Sequence, residues 1–69
     1  MARNFYQYTI EWLDEWGQVY ETLENCFIEE VRHYRQQAKQ MHLYIRVTNE
    51  VTGKVAERNY LDPELYAER

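Results

Sequence analysis

Cys26, Glu29 and His33 are spaced so that a helix would carry all three on one flank. A thiol, a carboxylate and an imidazole in that arrangement suggest thiol chemistry or a metal site. Seven helical residues separate Cys26 from His33 by about 10 Å along the axis, too far for a direct thiol–imidazole hydrogen bond. Glu29 and His33, four apart, suit a shared hydrogen bond or a shared metal, but the set matches no familiar zinc spacing. Glu24, Glu29 and Glu30 would also oppose thiolate formation at Cys26, which reads as a small, half-buried residue of a first helical turn. The chain contains no serine, and its two glycines cannot form a phosphate-cradling loop. We therefore expect no catalytic residues, no metal and no cofactor.

Residues suited to recognition are better represented. Leu43, Ile45 and Val47 alternate with Tyr44, Arg46 and Thr48, so a helix covering the first set leaves the second on an open sheet face. Arg58 and Tyr60 are expected to join that face from the next strand. Tyrosines interleaved with arginines can stack and neutralise single-stranded nucleic acid. The same residues also suit an ordinary solvated face with cross-strand Tyr–Arg packing. Arg32, Arg35 and Lys39 make a stripe on one helix flank, with Ile28 above it. That stripe either complements the helix C-terminus or docks an acidic partner or phosphates. Trp16 sits in the turn Asp14-Glu15-Trp16-Gly17. Folded back, it would pack on the sheet; exposed, it would be the strongest candidate for an interface anchor, and the acids around it would face a basic partner.

These residues need elements to hold them. Phe27, Val31, Tyr34, Ala38 and Met41 form one apolar stripe at helical spacing, with Asn25 as the expected N-cap. Tyr6, Tyr8, Ile10 and Trp12 alternate with Gln7, Thr9 and Glu11, the pattern of a half-buried strand over 5–13. Asp14 and Gly17 predict a tight turn, and residues 18–23 a returning strand. A rival heptad register from Ile10 to Met41 would make one long helix, but it places Gly17 and Glu24 on the seam and leaves both tryptophans off it. Residues 42–48 and 54–60 read as two more strands joined through Gly53, and Asp62-Pro63 as the start of a short helix through Tyr66. The expected fold is α+β in the order β-β-α-β-β-α: an antiparallel sheet with the main helix on one face.

Sixty-nine residues allow one domain, 1–69, with a thin core. Seven Tyr, two Trp and two Phe offset that in part, and a homodimer would complete such a core. The net charge of −4 argues against a general nucleic-acid binder. It is unevenly distributed: residues 1–31 hold seven acids against Arg3, while 32–46 hold four cations and no acid. A single cysteine, no leader-like apolar run and no membrane-length segment point to a soluble cytoplasmic protein. Gln36-Gln37, Met41, Ile45, Val47 and Thr52-Gly53-Lys54 resemble, over less than half the chain, the helix-to-strand portion of small phycobilisome core linkers. Those linkers also run strand–strand–helix–strand, but they tend to be basic, and no function is taken from the likeness. In type, a tiny, acidic, aromatic chain is similar to phage or mobile-element proteins that block a host machine. The expectation is a non-enzymatic interaction module, a regulator, inhibitor or assembly factor that docks on a larger protein. A nucleic-acid-binding module and a self-associating structural subunit are the alternatives.

Overall fold

The structure is a computed structural model in which residues 7–61 are described. They form β1 (Tyr8–Leu13), β2 (Val19–Cys26), α1 (Ile28–Met41), β3 (Tyr44–Asn49) and β4 (Val55–Asn59). The sheet order is β2-β1-β3-β4, with every neighbouring pair antiparallel. The α+β architecture is as expected, and the β1–β2 pairing excludes the long-helix register. Tyr6 and the helix expected after Asp62-Pro63 lie outside the described residues.

The same chemistry builds both hairpins. At the first, the Asp14 carboxylate accepts the N–H groups of Trp16 and Gln18, each at 2.9 Å, and Gly17 takes a φ of +81°. At the second, the Asn49 side chain accepts from Val51 and Thr52, and Gly53 takes a φ of +79°. Each loop combines an Asx acceptor with a residue that tolerates left-handed backbone, so it closes with its donors satisfied.

Asn25 is not the helix cap. It lies inside β2 with a φ of +58°, where Thr9 faces a bulge between the Tyr8–Cys26 and Ile10–Leu23 pairs. Leu23 and Cys26 are an odd number of residues apart, and regular alternation would send them to opposite faces. The extra residue rotates the strand, and both join the core. The helix begins after Phe27, whose N–H donates to Glu30 Oε1 at 2.8 Å. It ends at His42, which is left-handed with a φ of +59°, and the Leu43 N–H closes on the Ala38 carbonyl.

With that later start, the buried line of α1 is Val31 and Ala38, flanked by half-buried Ile28 and Tyr34. Met41 is exposed, contrary to the expected stripe. Facing this line, β1 supplies Ile10 and Trp12, and β3 supplies Ile45 and Val47. A side chain as deeply buried as Ile10, Val31 or Ile45 contributes about 1.5–3 kcal/mol. Leu13 is buried too, outside that cluster. The helix lies over the two central strands, so the outer strands β2 and β4 each border a cleft on the helix side. Among the described residues, no helix is long and apolar enough to cross a membrane.

Candidate functional site

The β1–β2 hairpin fixes its tip rigidly and leaves the tip side chain free. The Gly17 N–H donates to the Asp14 carbonyl at 3.0 Å, and the Asp14 N–H donates to the Gln18 carbonyl at 2.9 Å. Held in this loop, Trp16 stays 77% exposed and does not fold back onto the sheet. A second bulge follows: Trp12 pairs with Glu21 and Leu13 with Val19, so Tyr20 is the extra residue. Val19 and Tyr20 are 41% and 57% exposed beside Trp16. Behind Tyr20 is an open cleft of about 260 Å³ between β2 and α1. Trp12, Leu23, Tyr34 and Leu43 give it an apolar wall, with Glu21 and Gln37 at its polar margin. The Trp12 and Tyr34 rings meet edge to face at 5.9 Å, which stiffens that wall. From Leu13 to Ile28 the chain carries Asp14, Glu15, Glu21 and Glu24 and no cation. The result is an aromatic edge with an acidic surround.

The open sheet face is arranged differently. Tyr44 and Arg46 point away from α1, as the alternation requires. Arg46 Nη1 donates to Glu11 Oε1 at 3.2 Å, and its Nε donates to Glu57 Oε2 at 2.9 Å. The Tyr44 hydroxyl donates to Glu57 Oε1 at 2.9 Å. These contacts follow the strand register, which aligns Glu11, Arg46 and Glu57 in one cross-strand row. Arg46, and secondly Tyr44, hold the Glu57 carboxyl below its ordinary value. The same hydrogen bond raises the Tyr44 hydroxyl, which would lose it on ionising. Arg46 is thus committed to two carboxylates of its own sheet.

Arg58 and Tyr60 do not join this face. Arg58 pairs with Ile45, whose side chain points toward the helix, so Arg58 belongs to the helix side; Tyr60 packs against the core. Glu57 and Asn59 occupy the places expected for them. Of the helix flank, Arg32 and Lys39 are exposed, while Arg35 is half-buried beside the Val31–Ala38 line. Its Nε is buried with no hydrogen-bond partner among the described residues. An unpaired buried donor costs about 1–3 kcal/mol. Ile28, expected above this stripe, packs into the core.

Cys26 is buried at the end of β2 and not in a helical turn; its thiol points at the Leu23 carbonyl, 3.5 Å away. Burial first, and Glu30 second, push that thiol above its ordinary pKa. His33 is exposed and meets the Tyr34 ring edge to face at 5.0 Å. Among the described residues no three of His, Cys, Asp or Glu cluster closely enough to hold a metal.

Trp16 stands out in the sequence, whereas Val19 and Tyr20 read there as ordinary strand residues. No residue type announces a bulge at Tyr20. Glu11 was legible as an Arg46 partner, since it lies on the alternate positions of β1. The chain matches no family model, no curated protein and no solved structure. Function rests on the geometry alone.

Proposed function

We propose that this protein is a non-enzymatic interaction module that docks on a larger protein through its β1–β2 hairpin and the adjoining cleft. Acting as a regulator, inhibitor or assembly factor, it would present Trp16 and Tyr20 as anchors to a partner surface of basic character. The observation that carries this reading is a large indole held in solvent by a hydrogen-bonded loop. Tryptophan and tyrosine dominate binding hot spots, and a preorganised loop loses little entropy on binding. The surrounding acids favour a basic partner and steer its approach. The Tyr44–Arg46 face supports nucleic-acid binding less well, because its arginine is already neutralised by two carboxylates.

Site-specific photo-crosslinking in the native cell tests this. The variants Trp16→benzoylphenylalanine and Tyr20→benzoylphenylalanine should yield the same covalent protein adduct, and Thr48→benzoylphenylalanine on the opposite face should not. An adduct from position 48 alone, or adducts to nucleic acid, would contradict the reading.

A further inference from the structure

The other edge of the sheet carries a second site of opposite charge, independent of the hairpin. Among the described residues β4 pairs only with β3, and its register runs unbroken from Thr48–Val55 to Tyr44–Asn59. The Asn49 N–H donates to the Lys54 carbonyl and the Tyr60 N–H to the Leu43 carbonyl, which fixes the phase of the ladder. Lys54, Ala56, Arg58 and Tyr60 therefore turn their backbone groups toward β3, and Val55, Glu57 and Asn59 turn theirs outward. Arg58 lies along this outer edge, its Nη1 donating to the Glu57 carbonyl oxygen at 2.9 Å.

A cleft of about 260 Å³ runs between this strand and α1. Val47 and Ala56 line it with aliphatic surface, Tyr8 and Asn49 border it, and its charged lining residues are Arg35 and Lys54. The buried, unpartnered Nε belongs to this same Arg35. Arg35 is thus a lining residue of an open hollow, and its guanidinium is a planar fork of a shape that matches a carboxylate.

We infer that this cleft receives an acidic segment of a separate protein, in extended conformation, added to the sheet alongside β4. One carboxylate of the segment meets Arg35 and Lys54, an apolar side chain covers Val47 and Ala56, and its backbone pairs with Val55, Asn59 and Glu57, whose carbonyl the exposed Arg58 gives up. Two features select this occupant. A nucleic-acid strand has no alternating N–H and C=O groups to match the edge, and Tyr8 is the one aromatic in the cleft lining on which a base could stack. A second copy offers two edges: its β4, where Lys54 and Arg58 outnumber Glu57 and would meet Arg35 and Lys54 with like charge, and its acidic β2, which is bulged at Tyr20 and again near Asn25 and cannot pair continuously.

The test is an NMR titration of the ¹⁵N-labelled chain with three probes: a capped Glu-Thr-Val-Thr-Glu-Thr peptide, which when extended carries glutamate and valine on one face, its counterpart with glutamine for glutamate, and hexathymidylate. The acidic peptide should shift the Val55, Glu57 and Asn59 amides and the Arg35 side-chain resonance, and added salt should weaken it. Arg35→Gln should weaken binding about tenfold through loss of the charged fork. Lys54→Gln, in an exposed turn, should weaken it in the same direction and guards against a folding defect at position 35. No shift at millimolar peptide would overturn the inference. So would equal binding of the glutamine peptide, stronger shifts with hexathymidylate, or Arg35-dependent self-association of the chain alone.

Discussion

Replacing Arg46 by methionine removes the cation that links β1, β3 and β4 on the open face while keeping most of its aliphatic stem. Two ion pairs disappear, with Glu11 at 3.2 Å and with Glu57 at 2.9 Å. All three side chains are partly solvated, so each pair is worth about 0.2–1 kcal/mol. Glu11 and Glu57 are then left flanking an apolar residue with like charge, a further few tenths. The sum is about 1–2 kcal/mol at neutral pH, a fall in Tm of roughly 4–8 °C per kcal/mol for a domain of this size. The pH dependence follows from Glu57, whose folded pKa lies below its ordinary 4.5. Stability from a lowered carboxyl is complete above that value and is lost as pH falls through the folded pKa. Thermal melts of Arg46→Met and wild type should therefore differ most near pH 7 at low salt, and converge toward pH 3 or in concentrated salt. A variant as stable as wild type at pH 7, or a deficit indifferent to pH and salt, would refute the assignment of Arg46 to a structural ion-pair row.

Two further predictions concern positions where local chemistry decides the outcome. Asn25→Ala keeps the β-carbon in left-handed backbone but removes the short polar side chain that makes asparagine tolerant of it, and should cost about 1 kcal/mol by denaturant unfolding, whereas Asn25→Gly should be nearly neutral. Cys26 should resist a thiol-specific disulfide reagent in the native state and react promptly once unfolded. Its raised pKa means the buried thiol form stabilises the fold at neutral pH and loses that contribution as pH rises through the folded pKa. Rapid native-state labelling at pH 7 would show the thiol to be accessible.

Much of the scaffold was legible because the hydrophobic period is unambiguous where one face is buried. Ile10 and Trp12 on β1, and Ile45 and Val47 on β3, alternate as the sheet requires. The Asp14–Gly17 and Asn49–Gly53 combinations name their turns by chemistry. The errors came from signals that serve two structures equally well. An asparagine that tolerates left-handed backbone suits a bulge as well as a helix cap, so Asn25 reads as a cap although the true cap, Phe27, lies two residues later. Placing Arg58 and Tyr60 beside Tyr44 assumed a strand register, but the second hairpin sets Thr48 opposite Val55 and thereby puts Glu57 opposite Arg46. Trp16 stands out in the sequence as a turn aromatic, yet whether it folds back depends on three-dimensional room beside the hairpin, and sequence spacing does not encode that. Arg35 was visible as one of three cations on a flank; its partial burial beside β3 and β4 followed only from how the helix sits on the sheet.

Docking through the β1–β2 hairpin, as proposed, puts Trp16 at the contact. Trp16 is 77% exposed and its ring carries no part of the core. Burying most of a tryptophan, about 150 Å² at about 25 cal/mol per Å², sets an upper bound near 4 kcal/mol on what it can add to binding. The most direct measurement is the affinity of Trp16→Ala for the crosslinked partner, with thermal stability recorded on the same sample. Docking through this hairpin predicts binding weakened by about 30-fold or more, equivalent to about 2 kcal/mol, with stability within about 0.5 kcal/mol of wild type. Unchanged affinity would contradict the claim, and so would weakened binding that merely tracks a loss of fold.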